Sequence, residues 1–326
     1  VLSFLLPDVP PMTDWQPSAS LELVRLRASV YQRIRQFFAE REVLEIEAPV
    51  MGAAAVTDPF IDSVTAQCAG RTYYLQTSPE FAMKRLLAAG AGPIYALGKV
   101  FRNGERGRKH NPEFTLLEWY RTGWDDRALM GEVQALIELL IPGLDVTYLS
   151  YRQWFERHLQ IDPHTASVAE LAALAKARIN IEAEDEDRDF WLDLLVTHEL
   201  EASLGDGLTF VYDYPASQAA LARLATDDQG QTVARRFEAF IGGMELANGY
   251  WELTDADELR GRFLADQQKR RALDLPVYPS DDKLLAAMAA GLPDSAGVAL
   301  GVDRLLMCLS GASHIADVLA FDVDRL

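Results

Sequence analysis

Three separated stretches carry residue types whose spacing could do chemistry on a phosphate. The longest runs from Phe101 to Tyr120, two strand-like ends around a glycine-rich loop that holds Arg102, Arg106, Arg108, Lys109 and His110. A flexible cationic loop suits a polyphosphate, because guanidinium groups fork onto its oxygens; a solvated hairpin with basic tip residues would read the same way. The second, Gly242 to Asp255, holds Glu245 and Glu252. Two carboxylates plus substrate oxygens suit magnesium, although Asn248-Gly249 between apolar neighbours equally fits a type I′ hairpin turn with exposed glutamates. The third, Gly297 to Leu305, is a small-residue strand running into a helix led by Asp303 and Arg304. Small residues admit a flat ligand close to the backbone and an arginine can reach phosphate, but a buried strand before a capped helix is common. The usual glycine-lysine phosphate loop, the dinucleotide fingerprint and the His-Glu-x-x-His zinc signature are absent from the sequence.

The elements that must position these residues can be read from periodicity. Leu23, Leu26, Val30, Ile34, Phe37 and Phe38 predict an amphipathic helix over 22–41. The alternation over 43–50 predicts an edge or interface strand ending at a proline. Ser78-Pro79-Glu80 reads as a capped helix start for 81–89. Further helices are expected over 126–140, 167–177, 188–203, 255–272, 281–290 and 303–309. Strands are expected over 72–76, 94–101, 113–120, 209–212, 234–246 and 297–300. The lack of regular strand-helix-strand alternation predicts an α+β fold, an antiparallel sheet flanked by helices.

At 326 residues and 49% hydrophobic, the chain can bury a large core, and no apolar run approaches a membrane span. A net charge of -18 opposes extended binding to a polyanion such as tRNA. Cys68 and Cys308 have no paired spacing, fit a reducing cytoplasm and read as small core fillers. The acidic run 182–189 reads as a solvated loop or helix start. Residues 1–19 form an N-terminal extension expected to be poorly ordered, with Met12 as a candidate natural start.

Taken in order, the three stretches resemble the class II aminoacyl-tRNA synthetase catalytic domain over residues 20–326. Glu42 to Met51 is similar to motif 1, Phe101 to Tyr120 to motif 2, and Gly297 to Leu305 to motif 3. The strings TSPE (77–80), HNPEF (110–114) and the run 245–255 resemble lysyl-tRNA synthetase. Two departures stand out: there is no room for an anticodon-binding domain before Glu22, and Ala299 stands where lysyl synthetases usually have glycine. Both match the elongation factor P--(R)-beta-lysine ligase family, which the ASLELVRLR start, the GERGRKHNPEF loop and the YDYPASQAAL segment also resemble.

That resemblance implies an ATP-dependent ligase working through an aminoacyl-adenylate. Its substrates would be (R)-beta-lysine or lysine and a lysine side chain of elongation factor P, in a cytoplasmic homodimer whose motif 1 lies at the interface. It places Arg102 and Arg304 on the ATP phosphates as catalytic groups. Asn103, Gly104, Glu105, Asn111, Phe114, Glu245, Leu246 and Gly301 would complete the ATP site, and Glu245 with Glu252 would hold Mg2+. Ser78, Glu80, Tyr120, Asn248, Glu252 and Ala299 would meet the amino acid, a carboxylate at each end suiting a diamine. Gly104 occupies the position of the usual motif 2 glutamate, with Glu105 next to it, and no residue declares itself as a general base. Alternatives are a short lysyl-tRNA synthetase-like enzyme using L-lysine and another acceptor, and a non-catalytic regulatory paralogue.

Overall fold

The computed structural model describes residues 15–326; the readings of Val1 to Pro11 and Met12 lie outside the described residues. The chain order is α1 (Leu21–Ala39), β1 (Leu44–Glu45), β2 (Met51–Gly52), β3 (Thr65–Cys68), β4 (Arg71–Leu75), α2 (Glu80–Ala88), β5 (Ile94–Phe101), β6 (Glu113–Thr122) and α3 (Asp126–Leu140). It continues with β7 (Val146–Ser150), α4 (Tyr151–Leu159), α5 (Val168–Ile179), α6 (Arg188–Leu195), β8 (Leu208–Pro215), β9 (Leu224–Thr226), β10 (Thr232–Ile241) and β11 (Met244–Trp251). It ends with α7 (Ala256–Ala272), α8 (Asp282–Gly291), β12 (Ser295–Gly301) and α9 (Val302–Ser310).

Helix starts follow local chemistry. Ser20, Asp125, Asp255 and Asp281 each accept a backbone N–H of the first turn, and Ser150 and Ser167 open α4 and α5 with reciprocal capping boxes. Helix α2 differs from expectation: Pro79 occupies the cap position, and Ser78 instead accepts the Glu80 N–H while donating its hydroxyl proton to Glu118.

Among the described residues the main sheet has the order β1-β5-β6-β12-β11-β10-β8-β7, with β9 added on β10. Its centre is antiparallel, and only the outer pairs β1/β5 and β7/β8 are parallel. Of the expected strand over 43–50, only β1 and the Ile46 N–H, which bonds the Tyr95 carbonyl, pair with β5. The single strand expected over 234–246 is two strands, turning at Gly242-Gly243 with φ of +56° and +68°. Such paired positive φ values are what a two-residue hairpin requires. Asn248-Gly249, the turn expected from sequence, lies instead in the middle of β11.

One sheet face is dry. Leu117, Trp119, Phe237, Ala239, Ala247, Val298 and Leu300 pack there with α1, α3 and α9. Asp303, at the start of α9, is 2% exposed and accepts bonds from Arg27 (2.5 Å) and the Thr115 N–H (2.6 Å), so one carboxylate fixes the helix that carries Arg304. On the other face, Arg270 is 1% exposed and donates to the carbonyls of Thr57, Asp58, Ile61 and Pro276, shaping the entrance loop.

Two expectations are corrected here. Ser18 and Ala19, assigned to a poorly ordered extension, are pinned by backbone bonds to Ala320 and Leu319, and Ser18 also bonds Asp322. Cys68 is exposed on the short strand β3 rather than filling the core; Cys308 is half-buried.

Gly249 sits where a Cβ would come within 2.4 Å of the Phe237 ring and 3.0 Å of Val298. Gly249→Ala should therefore cost about 1–3 kcal/mol of stability through overpacking. Denaturant unfolding of the two proteins checks this, and an unchanged midpoint would show that the Phe237 ring yields freely.

Candidate functional site

Strand register builds the site in rows. Across the open face of the sheet, Glu118 on β6 lies opposite Ala299 on β12, Ala299 opposite Asn248 on β11, and Asn248 opposite Glu238 on β10. The next row, one pleat along, is Tyr120, Gly297, Tyr250 and Arg236. Gly297, Ala299 and Gly301 form a low floor between taller walls, since alternate residues of one strand share a face. Above them lies a cavity of about 1330 Å³, lined by all of the sequence-predicted site residues except Asn103 and Gly104.

At one end, two carboxylates hold one ammonium and a third carboxylate, Glu118, lies in the same cavity wall. Lys84 is 1% exposed and its Nζ lies 2.6 Å from both Glu80 Oε1 and Glu252 Oε2. Burial works against its charge, but Glu252 and Glu80 outweigh burial and hold it protonated. Glu118, 2% exposed, accepts bonds from Ser78 (2.6 Å) and Tyr120 (2.7 Å). Burial, with the charge of Glu80, pushes Glu118 up to about 8, and burial pushes Glu252 up to about 7 despite Lys84. Fully ionised, the three glutamates and the lysine leave two negative charges unmatched, and an unmatched buried charge costs several kcal/mol. The pocket therefore holds protons when empty and suits a ligand bearing two cationic groups.

At the other end the surfaces are cationic. Arg304 donates to the Glu245 carbonyl (2.9 Å), meets its carboxylate (3.3 Å) and lies 2.7 Å from His110 Nε2. Burial and the Arg304 charge lower the His110 pKa, so the imidazole is neutral near pH 7. Arg102 lies over Phe114, contacts Glu105 at 3.5 Å and leaves its buried Nε without a partner, a donor free for an anion. The positive φ of Gly104, +77°, turns the chain so that Glu105 lines the cavity. Asn103 is tied to Asp62 outside it, and Asn111, though lining the cavity, spends its amide on Glu113 and Val323.

The expectation that Glu245 and Glu252 share one magnesium is corrected. Seven residues along a strand separate them by roughly 20 Å, beyond the reach of two glutamates, and Glu252 is engaged by Lys84. Glu245 keeps a different carboxylate neighbour. Ala239 pairs with Ala247 and Phe240 with Glu245, so Leu246 is an extra, bulged residue that lets Glu245 line the same cavity as Asn248 and Tyr250. Glu238, two residues before Phe240, then lies about 7–8 Å away on the diagonal. Burial, offset by Arg236 and reinforced by Glu245, pushes Glu238 up to about 7. Two oxygen donors on adjacent strands fit a hard divalent cation that takes its remaining ligands from phosphate and water.

Lys84, Glu118, Arg236 and Glu238 were missed from sequence. Glu118 was within reach, being two residues from Tyr120 on one strand face, and Lys84 follows Glu80 by one helical turn. Glu238 becomes visible only through its pairing with Asn248.

A family model described as tRNA synthetases class II (D, K and N) matches residues 11–325. Similar curated proteins are the elongation factor P--(R)-beta-lysine ligases of Enterobacter sp. (strain 638), Salmonella paratyphi B (strain ATCC BAA-1250 / SPB7) and Salmonella schwarzengrund (strain CVM19633). Each is 51% identical over 320 residues, covering 95% of this chain and 98% of the relative.

The buried Glu118 makes stability depend on pH. Its folded-state value near 8 lies above the ordinary 4.5, so its contribution is complete below 4.5 and is lost as pH rises through 8. Glu118→Gln should flatten the loss of stability of the ligand-free protein over that window in denaturant titrations. Equal slopes in both proteins would show that Glu118 holds no extra proton.

Proposed function

The chain belongs to the class II tRNA synthetases of the D, K and N type, and from that premise we propose an ATP-dependent ligase that activates (R)-beta-lysine and transfers it to a lysine side chain of elongation factor P. The observation that carries the substrate class is the Glu80, Glu118, Glu252 and Lys84 cluster, whose unmatched charge of two equals that of a diammonium substrate. The names of the 51%-identical relatives support the beta isomer and the acceptor.

In this reading the substrate lies along the floor of Gly297, Ala299 and Gly301. Its distal ammonium meets Glu252 with Tyr120, and its proximal amine meets Ser78, Glu80 and Glu118. Its carboxylate then faces Asn248 and Arg102. Attack of that carboxylate on the α-phosphorus of ATP forms the acyl-adenylate and releases pyrophosphate. Arg102 and Arg304 offset the charge that develops on the phosphate oxygens, and each can fork onto two of them. Glu238 and Glu245 would hold Mg2+, which neutralises phosphate charge when bound. A neutral lysine amine then attacks the acyl carbon and AMP leaves.

Cytoplasmic residence and a homodimer accompany this reading. Exposed Leu21, Val24, Leu44 and Met51 on and beside α1 support a partner on that edge, and among the described residues no helix is long and apolar enough to cross a membrane.

Pyrophosphate exchange into ATP, measured with (R)-beta-lysine, L-lysine and no amino acid, tests the first half-reaction. We expect exchange to depend on beta-lysine and to fall about 10²–10³-fold in Arg304→Ala. Preference for L-lysine would move the assignment to a synthetase-like enzyme, and silence in folded protein would favour a regulatory paralogue. Because Glu118 and Glu252 are pushed to about 8 and 7 in the empty pocket, binding of the diammonium at pH 7 should expel protons. Calorimetry in buffers of different ionisation enthalpy measures this release, and Glu118→Gln should reduce it.

A further inference from the structure

The cavity has a second anionic region that the adenylation chemistry above does not use. Helix α6 turns Asp189 and Asp193, one turn apart, toward it. Each accepts a single neutral hydrogen bond, from Ser217 Oγ and Gln218 Nε2, both at 2.8 Å. Among the described residues neither has a lysine or arginine within ion-pair distance. The cations whose charge acts on them are committed elsewhere: Arg188 to the carbonyls of Pro163 and Ala166, Lys269 to Asp187 at 2.8 Å, and Arg236 to Glu238 and the Gln218 carbonyl. This differs from the first cluster, where Lys84 supplies an internal counter-charge.

A separate observation marks the same place. Tyr151, the first residue of α4, is fully buried on the cavity wall, and its hydroxyl has no hydrogen-bond partner. Its electrostatic neighbours are led by Asp193, with Glu238, Arg236 and Asp189 also acting on it. A buried hydroxyl without a partner is costly, so it needs water or a ligand in the cavity. Burial and the charge of Asp189 push Asp193 up to about 6, as expected for carboxylates short of a cation.

We propose that Asp189, Asp193 and the Tyr151 hydroxyl form a subsite for a primary alkylammonium, and that its occupant is the side chain of the acceptor lysine. An ammonium has three donors, and the subsite offers two carboxylates and one hydroxyl as acceptors. The substrate's own two ammoniums are already matched at the Glu80, Glu118 and Glu252 end, which leaves the acceptor as the remaining amine of the reaction. The inference rests on the functional reading above, and it assigns α4 and α6 a role in capturing the acceptor before it meets the acyl-adenylate.

The test separates the two half-reactions. In the double variant Asp189→Asn, Asp193→Asn, the KM for elongation factor P in transfer of labelled beta-lysine should rise at least about tenfold, the loss of charge-assisted hydrogen bonds. Pyrophosphate exchange, and its KM for beta-lysine, should stay within about twofold, a split that a general structural defect would not give. Tyr151→Phe should raise the acceptor KM by a smaller factor and also spare exchange. Unchanged transfer in the double variant, or exchange falling in step with transfer, overturns the subsite. Absence of exchange in the wild type would instead remove the functional reading, and the subsite with it.

Discussion

The structure depends on a charge imbalance held in a dry place. Glu80 and Glu252 each hold the ammonium of Lys84 at 2.6 Å, Glu118 joins them through Ser78 and Tyr120, and all but Glu80 are almost wholly buried. Such a group of like charges is unfavourable unless protons or ligands complete it. The surrounding fold supplies what can be supplied internally: hydroxyls from Ser78 and Tyr120, and an ammonium from α2. Two positive charges would complete the set, and the low floor of Gly297 and Ala299 leaves room beside it. A Cβ on Gly297 would come within 2.3 Å of the Tyr120 ring and 2.5 Å of Glu252, so the floor must stay low for the walls to stand.

The other end of the cavity obeys the opposite logic. Arg102 and Arg304 are held by a few weak or neutral partners, and Arg102 keeps a buried donor unspent. Asp303, next in sequence to Arg304, is instead fully committed to Arg27 and Thr115. One residue of the pair anchors the helix, leaving its neighbour available for an anion. The two ends meet on the same strands, and the bulge at Leu246 brings Glu245 to the cavity beside Glu238.

Much of this was legible in the sequence because local signals and motif order agreed. Helices α3, α7 and α8 begin at aspartate caps, and the strands carrying Glu118, Tyr120 and Gly297 are short, mostly buried runs within the ranges expected from sequence. The failures came where pairing overrides local preference. Asn248-Gly249 has turn chemistry, yet the neighbouring Gly242-Gly243 takes the turn because both residues reach positive φ, and Gly249 then provides the space the Phe237 ring needs. The magnesium expectation for Glu245 and Glu252 meets the same override, since the two lie far apart along one strand while Glu238 stands beside Glu245 across the sheet. Lys84 was hidden in an ordinary helical spacing, with nothing local to show that it is buried.

Arg270 adds a constraint of a temporal kind. Its guanidinium fastens Thr57, Asp58 and Ile61, which lie 213, 212 and 209 positions earlier in the chain. During synthesis the chain emerges from its N-terminus, so the segment that rims the cavity leaves the ribosome long before the side chain that gives it shape. The floor strand β12 and helix α9 come later still. A nascent chain thus carries its acidic residues on α2 and β6 without an enclosed pocket around them, and the cavity closes only after β12 and α9 have been made.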